Sequence, residues 1–153
     1  MRNPSTVNKR IISILLVEDN PAHAELVMRS LENHRVANTI VHLPDGEAAL
    51  DYLFRCGAYT DPEQSPRPHV ILLDLRLPRV DGLDVLKEIK TSESLRAIPV
   101  VILTTSNTEE DVAQAYEYHA NSYIIKPVDF SKFTQLMNEL GYYWLDWNFP
   151  PPS

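Results

Sequence analysis

The sequence predicts an α/β fold in which a five-stranded parallel sheet is covered on both faces by helices, in three layers. Three observations carry this. Strand-like and helix-like patterns alternate five times along the chain. The clearest strand-like runs, Ile14 to Val17 and Val70 to Leu73, are short and apolar, as in strands buried on both faces. Each run also leads directly into carboxylates, Glu18 and Asp19 after the first and Asp74 after the second. Open parallel sheets bind ligands just beyond the carboxyl ends of their strands, so these acids sit where chemistry is expected.

Each element follows from local signals. The first strand spans about Ile11 to Glu18, and a helix starts at Asn20 as N-cap with Pro21 in its first turn. Ala24, Val27, Met28 and Leu31 form that helix's apolar stripe. The second strand, about Thr39 to Leu43, closes on the turn Pro44-Asp45-Gly46, and a helix carries Ala49, Leu50, Leu53 and Phe54. Pro62, Pro66 and Pro68 among polar residues make Cys56 to His69 a surface loop. The third strand runs from Val70 to Asp74. The turn Leu77-Pro78-Arg79-Val80-Asp81-Gly82 leads from it into a helix bearing Leu83, Val85, Leu86 and Ile89. The fourth strand is Val100 to Leu103. Thr108 with Asp111 three residues on has the spacing of a capping box, opening a helix to about His119. The fifth strand is Tyr123 to Ile125, and the last helix begins near Asp129 with Phe133, Leu136, Met137 and Leu140 on one face. Beyond it, Tyr143 or Trp144 and then Trp147 prolong the stripe, and Tyr142, Tyr143, Trp144, Trp147 and Phe149 offer more aromatic surface than one helix end usually buries, which points to self-association, with packing on the chain's own sheet as the alternative.

Composition narrows the function. At 153 residues and 44% hydrophobic, the chain has material for one core. Residues 11–147 are expected to form the domain, with tails at 1–10 and 148–153. A formal net charge of -7 opposes a nucleic-acid backbone or an anionic membrane as main partner and suits a cation or a basic protein surface. No apolar stretch approaches the roughly 20 residues of a membrane span, and Met1 to Arg10 lack the apolar core of a secretion signal. A cytoplasmic location is therefore expected. The single Cys56 excludes an internal disulfide. His23, His34, His42, His69 and His119 show no metal spacing and are expected to be surface or packing residues.

Three crowded carboxylates either raise one another's pKa or bind a cation, and a small hard ion with oxygen ligands, Mg²⁺, fits best. An aspartate can also act as a nucleophile toward phosphorus. Thr104 closes the fourth strand with a hydroxyl and Lys126 closes the fifth with an ammonium donor, so both could balance phosphoryl charge. Only four glycines are present and none cluster, which leaves that task to metal and lysine.

Glu18-Asp19, Asp74, Leu77-Pro78 with Asp81-Gly82, Thr104 and Lys126-Pro127, in this order and spacing, resemble the motif set of CheY-like response-regulator receiver domains over about Ile11 to Leu145. The resemblance implies the flavodoxin-like strand order 2-1-3-4-5. It implies that Asp74 accepts a phosphoryl group from a sensor histidine kinase. Asp19 and Asp74 would ligate Mg²⁺ directly, Glu18 would act largely through water, and the Arg76 carbonyl would complete the shell. Thr104 and Lys126 would bind phosphoryl oxygens, Tyr123 would be the aromatic switch working with Thr104, and Lys126-Pro127 would be cis. Thr105, larger than usual at its place, and Arg76, two residues after the acceptor, are expected to alter the lifetime of the phosphorylated state.

The long loop, Ser65-Pro66-Arg67-Pro68, Thr104-Thr105-Ser106 and Tyr143-Trp144-Leu145 are similar to single-domain regulators that pair with cyanobacterial phytochromes. That likeness implies a phytochrome kinase and a homodimer. The dimer would use the fourth helix, fifth strand and fifth helix, helped by the C-terminal extension, with Tyr143, Trp144 and Trp147 as candidates. Only Asn148 to Ser153 follow, so output is expected through protein contact rather than DNA. Three other readings stand beside this one. A phosphohydrolase forming an aspartyl phosphate normally needs a second Asp where Arg76 stands. An adaptor of the same fold would work without phosphorylation. A flavin carrier is opposed by the Glu-Asp-Asn-Pro turn, which repels phosphate.

Overall fold

The structure, a computed structural model, describes residues 12–32 and 38–147, with side chains at 12–32 and 39–144. Five strands, β1 (Ile12–Val17), β2 (Asn38–Leu43), β3 (Val70–Leu73), β4 (Val100–Thr104) and β5 (Ser122–Ile125), form one sheet in the order β2-β1-β3-β4-β5. All four pairings are parallel. The helices are α1 (Pro21–Glu32), α2 (Gly46–Phe54), α3 (Gly82–Thr91), α4 (Glu109–Glu117) and α5 (Phe130–Gly141).

The apolar strands divide their side chains between two cores, as a period of two requires. Ile14, Leu16, Val70, Leu72, Val101 and Leu103 face Ala24, Val27 and Leu31 of α1 and Phe133 and Met137 of α5. Leu15, Val17, Ile71, Leu73, Val100 and Ile102 face Ala49 and Leu53 of α2, Leu86 and Ile89 of α3 and Ala115 of α4. Each of the larger side chains among these contributes about 1.5–3 kcal/mol on burial, so the central strands are held from both faces. The expected flavodoxin-like order and three layers are therefore present. Among the described residues, no helix is long and apolar enough to cross a membrane.

Local signals set the helix starts. The Asn20 side chain accepts from the amides of Ala22 (3.0 Å) and His23 (3.2 Å), Asp45 from Ala48 (2.7 Å), and Asp129 from Ser131 (2.7 Å) and Lys132 (3.2 Å). These caps satisfy amides left free in the first turn.

Several expectations need correction. The α4 helix stops at Glu117 because His119 takes a left-handed conformation (φ 68°), and the Ala120 amide returns to the Ala115 carbonyl at 3.0 Å. Only half of the expected capping box forms: Thr108 accepts from the Asp111 amide, but the Asp111 carboxylate turns to Arg76 and Ser106. The Lys126–Pro127 bond is trans, the form that X–Pro bonds prefer by about 0.5–1 kcal/mol.

The segment between α2 and β3 lies mostly at the surface, as expected, and is ordered as a cap on α2 with a 3-10 turn at Gly57–Tyr59. Ser65 is buried, its hydroxyl bridging the carbonyls of Tyr59 (3.0 Å) and Asp61 (2.9 Å). The Tyr52 hydroxyl donates to the Pro66 carbonyl (3.1 Å), and the Arg67 guanidinium donates to the Leu53 carbonyl.

Candidate functional site

The carboxyl ends of β1, β3, β4 and β5 bring Glu18, Asp19, Asp74, Thr104 and Lys126 to one edge of the sheet. The Asp74 amide continues the β3 ladder onto the Val17 carbonyl (3.1 Å), and the Lys126 amide continues β5 onto the Thr104 carbonyl (2.7 Å). Backbone pairing thus aims the side chains. Lys126 is 4% exposed, Glu18 1% and Asp74 7%. The Lys126 ammonium bridges Glu18 Oε1 and Asp74 Oδ2, the latter at 3.1 Å. Glu18 Oε2 accepts from the Asn20 amide at 3.2 Å, while His42 Nε2 meets the Glu18 carbonyl at 2.7 Å and anchors its backbone.

Two carboxyls that share one lysine do not share charge equally. Burial pushes Glu18 up to about 7, with the neighbouring Asp74 charge adding to it against the pull of Lys126. Burial also works against the Asp74 charge. There the Lys126 ammonium and hydrogen bonds from Thr104, Glu18 and Lys126 outweigh it and hold the carboxyl below its ordinary value. Burial and the Asp74 charge thus favour the protonated form of Glu18, while Lys126 and the surrounding hydrogen bonds favour the ionised form of Asp74.

Carboxylate oxygens of Glu18, Asp19 and Asp74 lie within 4.8 Å of one another, with Asp19 exposed to solvent. This all-oxygen donor set fits a hard divalent cation. The chain after Asp74 is shaped by close backbone approaches. The Val80 amide donates to the Pro78 carbonyl at 2.9 Å across Arg79 (φ 71°), the signature of a γ-turn. The Gly82 amide returns to the Leu75 carbonyl at 2.8 Å.

Arg76 and Tyr123 lie one layer further out. The Arg76 amide donates to Asp74 Oδ1 at 3.3 Å, whereas its guanidinium pairs with Asp111 at the start of α4. The buried Asp111 also takes the Ser106 hydroxyl, and the Ser106 amide donates to Thr104 Oγ1 at 3.3 Å. Tyr123 is half-buried, and its hydroxyl donates to the Ser106 carbonyl at 2.9 Å. Thr105 is exposed.

The dimer candidates lie elsewhere. Trp144 is half-buried at the amino-terminal edge of the sheet, against Ile14, Leu31, Val70, Leu72 and Leu140, so it is at least partly a packing residue. Tyr143 is 55% exposed and meets Trp144 edge to face at 5.3 Å. The Trp147 side chain lies outside the described residues.

His23 packs against Phe130 and Phe133, in keeping with its expectation as a surface or packing residue, and it also reaches this site. Its Nδ1 lies 3.1 Å from Lys126 Nζ and 4.0 Å from Glu18 Oε1. The available signal was its place in the first turn of the helix that follows the acid pair.

Comparison with known proteins agrees with this geometry. Residues 14–138 match the family described as response regulator receiver domain. The Probable methanogenesis regulatory protein FilR2 of Methanothrix harundinacea is 51% identical over 138 residues, covering 90% of this chain and 86% of that protein. Response regulator Rcp1 of Synechocystis sp. is 43% identical over 133 residues, covering 87% and 88%; the Mn²⁺-bound form of Rcp1 superposes with a TM-score of 0.88 over 92% of this chain and 99% of that one, at 41% identity. The phosphorylated cyanobacterial phytochrome response regulator RcpA superposes with a TM-score of 0.89, at 39% identity, over 94% of this chain and all of that one. With its acids, threonine and lysine gathered at one sheet edge and its match running through almost the whole sheet and every helix, this chain belongs to the response regulator receiver domain family.

Proposed function

We propose that residues 11–147 act as a phosphorylation switch in which Asp74 takes a phosphoryl group from a sensor histidine kinase. The observation that carries this reading is the pairing of an ionised, nearly buried Asp74 with Lys126 and Thr104 at one point. An Asp74 oxygen attacks phosphorus, and the new O–P bond forms as the P–N bond to the donor imidazole breaks. The imidazole leaves with the electron pair. Lys126 and Thr104 donate to the phosphoryl oxygens, where charge must be balanced.

Asp19, Asp74 and the Arg76 carbonyl would hold Mg²⁺, with Glu18 acting through water; when bound, the ion offsets negative charge on the transferred group. Thr104 moving toward the phosphoryl group would draw on the Ser106 segment to which Tyr123 is tied, making Tyr123 the switch residue. The chain makes and loses its own acyl phosphate rather than turning over a substrate, and it signals by protein contact. The phosphohydrolase alternative is weakened because Arg76 stands where an acid is needed and is already engaged with Asp111.

With a small phosphodonor and Mg²⁺, the protein is expected to gain a phosphoryl label that hydroxylamine removes. Label that forms equally well in excess chelator, or that resists hydroxylamine, would overturn the reading.

Likeness to Rcp1 and RcpA supports a phytochrome-type kinase. The identity to FilR2 favours a second reading, a kinase with another input, and phosphotransfer from a phytochrome kinase to this chain separates the two. The exposed Tyr142 and Tyr143 beside Trp144 support a homodimer. Light scattering is expected to give the mass of two chains, falling toward one in Tyr143→Ser; a parent that runs as one chain removes the dimer.

A further inference from the structure

An ammonium group carries three N–H donors and no acceptor, on a stem that rotates freely. In this protein all three donors of Lys126 have partners: Glu18 Oε1, Asp74 Oδ2 at 3.1 Å and His23 Nδ1 at 3.1 Å. The first two belong to the acid site. The third comes from the first turn of α1. A buried ammonium with a donor left unpaired is costly, so a third acceptor completes the set that the two carboxylates begin.

We infer that His23 is a positioning residue for Lys126, accepting at Nδ1 the third ammonium proton and thereby holding the lysine over Asp74. Its catalytic purpose rests on the reading of Asp74 as phosphoacceptor. Because lysine can only donate, His23 is the tautomer protonated at Nε2, with Nδ1 free to accept. The imidazole is fixed on two sides. Its own amide is held by the Asn20 cap at 3.2 Å, and its ring stands edge to face against Phe133 (5.5 Å) and Phe130 (6.4 Å) of α5.

When a phosphoryl group forms on Asp74, Lys126 must redirect donors from carboxylate to phosphoryl oxygens. The bond to His23 is the one that need not change. It keeps Nζ on station while the other two partners are exchanged.

The plain rival is a histidine that only fills space between α1 and α5, and two variants rank the readings in opposite order. His23→Leu keeps apolar bulk against Phe130 and Phe133 but has no acceptor. His23→Asn packs less well, yet places Oδ1 near the position of Nδ1. If His23 positions Lys126, labelling by a small phosphodonor with Mg²⁺ slows about tenfold in His23→Leu, and His23→Asn recovers most of that loss. If it only packs, His23→Leu labels like the parent while His23→Asn loses thermal stability, and the inference is overturned. Ring ¹⁵N shifts of the parent test the hydrogen bond without any phosphorylation: Nδ1 is expected to be unprotonated, and a proton found there also overturns it. A parent that takes no label would instead sink the phosphoacceptor reading, and the catalytic purpose of His23 with it, while the ring shifts still report the bond.

Discussion

Asp74→Asn is expected to take up no label from a small phosphodonor under conditions that label the parent, a loss of at least about a thousandfold in rate. The substitution keeps shape and volume but replaces an ionised oxygen with a carboxamide that is a poor nucleophile. Its effect on folding should be small, within about 1 kcal/mol in a denaturant titration. The reason lies in how the buried charges are shared. In the parent, the Asp74 charge adds to the burial that drives Glu18 up to about 7. With Asn at position 74 that repulsion disappears, so Glu18 ionises more readily and becomes the sole anionic partner of Lys126. One ion pair replaces a shared one. Label that persists in Asp74→Asn, on Asp19 or Glu18, would show that the acids had been assigned the wrong roles.

How much of this was legible in the residues depends on the range over which each feature is determined. The apolar runs Ile14 to Val17 of β1, Val70 to Leu73 of β3 and Val100 to Leu103 of β4 announce burial on both faces because no polar residue interrupts them, and the two cores divide those runs residue by residue. The Asn20 cap was legible because an acceptor and the amides that it serves are neighbours in the chain. Contacts between distant segments were not. The Thr108 and Asp111 spacing reads as a reciprocal cap, but the Asp111 carboxylate is claimed by Arg76 from 35 positions away. Order in the segment before β3 rests on contacts from Tyr52, Ser65 and Arg67, and no composition rule distinguishes the buried Ser65 from an exposed serine.

His23 shows the same limit at the site itself. It adjoins Ala24 on the shoulder of the α1 stripe, and whether a shoulder residue meets the acids or the solvent depends on how α1 crosses the sheet. At the other end of the sheet, the stripe from Phe133 through Leu140 continues to Trp144, and burial against Ile14 and Val70 claims part of an aromatic group that looked free for a partner. The motif order already marks Asp74 as the reacting acid, whereas the opposite pulls on Glu18 and Asp74 depend on burial and on the shared Lys126, which the positions of three carboxylates in the chain do not reveal.

Gly82→Ala is expected to destabilise the protein by about 3 kcal/mol or more, because the added methyl has no room. A Cβ at Gly82 would stand 2.2 Å from the Asp74 carbonyl oxygen, 2.5 Å from the Leu75 Cα and 2.9 Å from the Leu75 carbonyl oxygen. All three are backbone atoms, so no rotamer change relieves the contact. Intrinsic propensity acts in the other direction, since alanine inside a helix is favoured over glycine by about 0.8–1.0 kcal/mol. The sign of the measured change therefore decides between them. Relief would require the start of α3 to move from the chain after β3, breaking the Gly82 to Leu75 hydrogen bond and loosening Leu83, Val85, Leu86 and Ile89, all buried. The same displacement would shift the backbone of Asp74, so phosphorylation should slow in whatever fraction still folds. Gly57→Ala supplies the comparison. There the backbone is left-handed (φ 57°) and the nearest atom to an added Cβ is the movable Asp51 Oδ2 at 3.3 Å, so the cost is conformational, about 1–2 kcal/mol, and far from the site. A Gly82→Ala protein as stable as the parent in denaturant titration would mean that α3 does not press on the backbone of Asp74, and that Gly82 stands there for another reason.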